Sequence, residues 1–291
     1  MKKLLVPIDY SKISKCAAEV AAQMARESGG EVFLLNVVDF PIHDPNWTKE
    51  ASQDVPKGLA LGKVIQERMD KFEKFDFLEG VKVHGILREE DNVYETIAEV
   101  VKEIEADIIV MGTHSRSKMN RFLIGSNTDR VIRITDVPVL SVKRRHEHFI
   151  VKNIAFASNF YGESYSVFKA IKSIVDLYKA KIHFVKVITP GHFETTLESR
   201  KLMEDFAKNF KLTDSSINIY NDTKVEYGIN RFAKEIEADV ISMETHGGSS
   251  IVQLVTGSIL GDVLEGAQLP VLTIRIDEPE VSAKGIFPEM R

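Results

Sequence analysis

KEIEADIIVMGTH at residues 102–114 and KEIEADVISMETH at residues 234–246 are nearly the same string, set 132 residues apart. Toward the C-terminus the offset holds: IGS at 124–126 matches TGS at 256–258, and VPVLSVK at 137–143 matches LPVLTIR at 269–275. Toward the N-terminus it changes. LLVPIDYS at 4–11 aligns with IAFASNFY at 154–161, and EVFLLNVV at 31–38 with KIHFVKVI at 181–188, both at an offset of 150. Blocks that keep one order at two offsets imply a duplicated unit. The drop from 150 to 132 places a gap of 18 residues between the second and third strands of the second copy.

Within the first copy, short runs rich in Val, Ile and Leu occupy residues 4–8, 32–38, 81–87, 107–112 and 139–142. Such continuous apolar runs suit strands buried on both faces. Helical patterns lie between them, at about 11–28, 47–78 and 92–105, with a fourth starting near Ser126. Gly29-Gly30 stops the first. The alternation predicts an α/β fold of two tandem doubly wound parallel-sheet domains, Rossmann-like, with helices on both faces. The expected units are residues 1–145 and 150–276, followed by a tail at 277–291. KRRHEH at 143–148 reads as a solvated linker between them.

A chain of 291 residues, 44% hydrophobic, has room for two cores. The formal net charge of −5 offers no footprint for nucleic acid or an anionic membrane. No apolar run approaches membrane-spanning length, so no membrane insertion is expected. The single cysteine, Cys16, excludes an intrachain disulfide. It reads as a small buried hydrophobe, and a reducing, cytoplasmic setting is expected.

In an open parallel sheet, ligands bind beyond the carboxyl ends of the strands where strand order reverses. Those ends carry Asp9, Val37 and the run from Gly112 to His114. Gly112-Thr113-His114-Ser115 follows a strand, and Gly125-Ser126-Asn127 opens a helix. Glycines admit positive φ and close backbone approach, and a helix N-terminus presents free N–H groups to an anion. The Ser126 hydroxyl can cap that helix or bond a phosphate. The pattern is a phosphate cradle built mostly of backbone, without a Walker lysine.

These residues resemble the universal stress protein family, which carries G-x-x-G-x9-G-[S/T] in this loop and P-x-D at the end of its first strand, here Pro7-Ile8-Asp9. MGTHSRS, IGSNTDRVIR and VPVLSVK follow the family through the rest of the unit, and the resemblance runs through the chain twice. It implies an adenine nucleotide ligand, ATP or AMP/ADP, with Mg or another divalent metal on the phosphates. Pro7, Ile8, Asp9 and Val37 would surround the adenine or ribose. Met111, Gly112, Ser115, Gly125, Ser126 and Asn127 would surround the ribose and phosphates. It also implies pairing through the last strands, PVLSV and PVLTI, so an internal pseudo-dimer is expected, with a homodimer of chains beyond it.

The copies depart from the pattern differently. In the first, Ser115 replaces the second glycine, at a cost of roughly 1–2 kcal/mol if positive φ is required. In the second, Glu244 replaces the first glycine, Asn159 the aspartate and Ala157 the proline, while Gly247, Gly257 and Ser258 remain. A carboxylate beside a polyphosphate repels it, so the second copy is expected not to take ATP. His114 and His246 recur without catalytic or metal spacing and read as loop residues. Trp47 and Phe40 read as packing in a long loop. No catalytic or metal residue is identified, and no water-positioning base or transition-state arginine is evident, Arg116 being the nearest cation, so any ATPase activity should be slow. Enzymes of the adenine nucleotide α-hydrolase group that adenylate substrates carry S-G-G-x-D-S near the first strand, where this chain has PIDYSKIS. The expected function is stress-response regulation through nucleotide binding. The alternative is a scaffold without nucleotide, its second domain holding a different small ligand or a partner.

Overall fold

The computed structural model describes residues 1–38, 57–113, 127–161, 165–209, 212, 214–247 and 259–277. In the first half β1 (Lys3–Pro7), α1 (Lys12–Ser28), β2 (Glu31–Val38), α2 (Lys57–Phe72), a 3-10 turn (Asp76–Leu78), β3 (Lys82–Glu89), α3 (Val93–Glu103), β4 (Ile108–Gly112), α4 (Asn127–Ile134) and β5 (Val139–Val142) follow one another. The second half repeats the order: β6 (Asn153–Ala157), α5 (Tyr165–Tyr178), β7 (Lys181–Ile188), α6 (Thr196–Asn209), β8 (Ser215–Asn221), α7 (Val225–Glu235), β9 (Val240–Gly247), α8 (Ile259–Gly266) and β10 (Val271–Asp277). β1 and β6 start 150 residues apart, as do β2 and β7, whereas β4 and β9 start 132 apart. The shortened stretch lies between β7 and β8, where the gap was expected.

Local chemistry sets the helix ends. Ser11 caps α1 by accepting from the Ser14 N–H at 3.1 Å, and Gly29 ends it in the left-handed region at φ 60°. Asn92 caps α3 in the same way. The strands form one sheet in the order β3-β2-β1-β4-β5-β10-β9-β6-β7-β8. All neighbours run parallel except β5 and β10, which pair antiparallel. There Leu140 faces Leu272, its own repeat counterpart, so the halves are related by a local two-fold through this pair.

Each face of the sheet carries one core that crosses the junction. On one side α1, α2, α5 and α6 cover Leu4, Val6, Leu140, Leu272, Phe156 and Phe184. On the other, α3, α4, α7 and α8 cover Leu5, Ile109, Val139, Val271 and Ile241. Asp107, which ends the repeated KEIEAD string, accepts the backbone N–H groups of Lys2 and Lys3; Asp239 accepts those of Lys152 and Asn153. The string recurs because it ties the start of the central strand in each half. Left-handed residues recur likewise: Tyr10 with Phe160 (φ 62° each), Gly29 with Lys179, and Glu105 with Glu237.

The linker at 143–148 is exposed or half-exposed, as expected, but it is also tied to α1. Arg145 makes a forked ion pair with Glu19 on α1, at 3.0–3.1 Å. Gln23 donates to the His146 carbonyl at 2.9 Å and accepts from the Phe149 N–H at 2.6 Å. Phe149 and Val151 are buried. Basic residues marked this stretch as polar, but the apolar pair that follows carries it into the core against α1. Cys16 is partly buried, and burial together with Glu19 holds its thiol above the usual value. Trp47, Phe40 and all of the tail except Asp277 lie outside the described residues.

Candidate functional site

Strand order reverses beside β1, which has β2 on one side and β4 on the other. The carboxyl ends of β1 and β4 are therefore the switch point at which open α/β sheets place their ligands. The register Pro7–Leu35 puts Val37 beside Asp9 two residues further on, and Leu5–Ile109 puts Gly112 beside Ile8 three residues further on. Six of the expected site residues, Pro7, Ile8, Asp9, Val37, Met111 and Gly112, thus gather at one place. Asn127 opens α4, whose first turn is anchored to the same spot by Thr128, its hydroxyl donating to the Gly112 carbonyl at 3.3 Å. The helix dipole gives this end of α4 the partial positive charge that favours an anion. Ser115, Gly125 and Ser126 lie outside the described residues, as do His114 and Arg116.

Asp9 is exposed at this mouth, while Ile8 and Met111 are buried beneath it. One Asp9 oxygen accepts the Ser11 N–H at 3.0 Å. Burial pushes its carboxyl upward, but hydrogen bonds from the Ser11 and Ser14 hydroxyls and the Ser11 N–H outweigh it, leaving the pKa below 3.8. The group stays ionised and can accept from ligand hydroxyls. Left-handed Tyr10 turns its ring away from the mouth to meet Phe72 edge-on at 5.9 Å. Sequence reading missed this turn, because an aromatic residue carries no signal for positive φ.

Gly112 has a packing role besides the one expected of it. Its φ is not in the left-handed region, and a Cβ there would stand 2.6 Å from Ile13 Cγ2 and 2.9 Å from the Ile13 carbonyl carbon. The glycine lets α1 approach the end of β4, so packing requires it.

At the equivalent position of the second half, side chains are bonded to one another. Ala157 pairs with Met243, and one residue further the Ser158 hydroxyl donates to the Glu244 carboxylate, bridging β6 to β9. Asn159 keeps only the turn, accepting the Tyr161 N–H at 2.8 Å. At the end of β7, where the first half has Asn36, stands Lys186 with 4% of its side chain exposed. Its ammonium donates to Glu194 at 2.6 Å and lies 4.4 Å from the centre of the Tyr161 ring. Ser199 adds a hydrogen bond to the same carboxylate oxygen at 3.1 Å. Gly257 and Ser258 lie outside the described residues. Among the described residues no cluster of His, Cys, Asp or Glu suited to a metal is found, and no helix is long and apolar enough to cross a membrane.

The model of the universal stress protein family matches residues 1–143 and again residues 151–275. Universal stress protein MJ0531 of Methanocaldococcus jannaschii is 36% identical over 143 residues, covering 49% of this chain and 82% of that one. Universal stress protein Slr1230 of Synechocystis sp. is 21% identical over 296 residues, covering 94% of this chain and all of that one. A solved universal stress protein from Archaeoglobus fulgidus shares the fold, with a TM-score of 0.69 at 20% identity over 94% of this chain and 96% of that one. With its sheet, its two-fold junction and a family match in each half, this chain belongs to the universal stress protein family as a tandem member.

Proposed function

We propose that the first half, residues 1–145, is a regulatory unit that binds an adenine nucleotide, ATP or its di- or monophosphate, in the crevice between β1 and β4. The second half, residues 150–276, is its non-nucleotide partner, and residues 277–291 form a tail. The observation that carries the reading is the contrast at equivalent positions. Ile8 and Gly112 flank a mouth with an ionised carboxylate and a helix N-terminus, whereas Ser158 and Glu244 are bonded to each other across theirs.

The residues present suit such a ligand. Asp9 accepts from ribose hydroxyls, Ile8 and Val37 give apolar contact to the base, and the start of α4 donates to phosphate. Mg accompanying the phosphates would reduce repulsion between them and Asp9. The protein acts in the cytoplasm, and two chains pair into a four-domain assembly.

Calorimetric titration with Mg-ATP tests the assignment. Gly125→Leu fills the phosphate loop and is expected to abolish the heat. Gly257→Leu, at the equivalent position of the second half, is expected to leave it unchanged. Loss in the Gly257 variant, or full binding in the Gly125 variant, would place the ligand elsewhere.

A further inference from the structure

The two basic residues that end the last strands reach across the junction. Lys143 follows β5 of the first half, and its ammonium donates to the carbonyl of Glu265, in the last turn of α8 in the second half, at 2.8 Å. Arg275 on β10 of the second half donates to the carbonyl of Arg133, in the last turn of α4 in the first half, at 3.4 Å. It also lies 3.5 Å from the Asp136 carboxylate just beyond that helix. The repeat offset of 132 relates Lys143 to Arg275 and Arg133 to Glu265, so the contacts are reciprocal copies under the local two-fold. A cation on the last carbonyls of a helix satisfies orphan acceptors and meets the negative end of its dipole.

These are the helices that follow the fourth strand of each half, β4 and β9. α4 is eight residues long, and its first turn is tied to the end of β4 by Thr128. A helix that short has no interior turn insulated from its ends, so it moves nearly as a rigid peg. Its front is held by its own half and its back by the other.

We infer that Lys143 and Arg275 are positioning residues that couple the two halves: each half restrains, from behind, the helix that follows the fourth strand of the other, and in the first half that helix is the one at the nucleotide site. For the first half this rests on the nucleotide reading above, since an anion at the front of α4 and the Arg275 cation at its back favour the same helix dipole and so reinforce each other. Such linkage is reciprocal, so ligand in the first half changes the order of β10 and α8 in the second.

Hydrogen exchange on the full chain tests the coupling with and without nucleotide. Arg275→Met is expected to speed exchange of the α4 amides by roughly three- to tenfold, the scale of a lost helix-end contact, with α8 little changed. Lys143→Met should do the converse, loosening α8 and sparing α4. Arg275→Lys, which keeps a donor cation, should restore most of the protection. With Mg-ATP, the wild-type chain should gain protection in β10 and α8 as well as in α4, and in Arg275→Met the gain should stop at α4. If the wild-type chain takes no nucleotide, the nucleotide reading fails while the crosswise pattern without ligand still decides the restraint. Loosening confined to each variant's own half, or nucleotide protection of α8 that is the same with and without Arg275, would overturn the inference.

Discussion

Gly112→Val is expected to destabilise the first half by about 3 kcal/mol or more, the upper end for forcing extra bulk into a packed site. A Cβ at this position meets not only a side-chain methyl of Ile13 but also its backbone carbon and oxygen, at 2.9 and 3.0 Å. A methyl can rotate away; the first turn of α1 cannot, because Ser11 caps it immediately before. Relief requires α1 to lift from β4, and with it the turn that carries Asp9. Urea denaturation should show a lower midpoint at similar slope. Gly62→Ala gives the opposite sign as a control. That glycine lies in α2 with nothing within 4 Å of an added Cβ, so alanine should stabilise by up to about 1 kcal/mol through helix propensity. A Gly112 variant of unchanged stability would show that α1 does not need the close approach.

Glu194→Ala is expected to cost roughly 3 kcal/mol, the low end for stranding one member of a buried pair, because Glu194 is itself partly open to water. The loss comes from Lys186, whose ammonium would remain buried under the Tyr161 ring without its carboxylate. Lys186→Met combined with Glu194→Ala removes the stranded charge and should recover most of the stability. Acid gives an independent reading. Burial pushes the Glu194 carboxyl upward, but the hydrogen bonds from Lys186 and Tyr161 outweigh it and hold the folded value below the ordinary 4.5. A depressed folded pKa stabilises above the unfolded value and loses that stabilisation as pH falls through the folded one. Urea midpoints of the wild type and Glu194→Gln should therefore differ at pH 7 and converge as pH falls below 4.5. A constant difference would show that the carboxylate charge is not what holds Lys186.

Much of this architecture is legible from residues alone, since the repeat speaks through local patterns. The run at 139–142 is β5, the run at 107–112 contains β4, and the change of offset marks the short connection after β7. The Ser11 and Asn92 caps follow from the residue types that precede each helix. The positions meant to flank a ligand also meet, because a parallel sheet with this order brings the ends of β1, β2 and β4 together.

What escaped was contact between side chains distant in sequence. Ser158 and Glu244 are 86 residues apart, and neither has a local feature that announces the other. Glu244 was readable as an unfavourable charge, but not as one already bonded. Lys186 sits in an apolar strand and looks like a solvated exception until Glu194, on the shortened connection, is seen against it. Gly112 was legible as a glycine of the ligand loop, whereas its contact with Ile13 depends on how closely one helix approaches one strand. The linker's basic residues correctly describe a surface, but they do not announce the burial of Phe149 and Val151 immediately after them.

An ionised carboxylate at the strand ends of one half and a self-bonded pair at those of the other are the basis for expecting unequal occupancy within a single chain. Native mass spectrometry of the full protein, purified without nucleotide and then given Mg-ATP, reports that ratio directly. One adenine nucleotide per chain is the predicted result, carried over from purification or gained on addition. Two per chain, or a bare chain at saturating Mg-ATP, would contradict it.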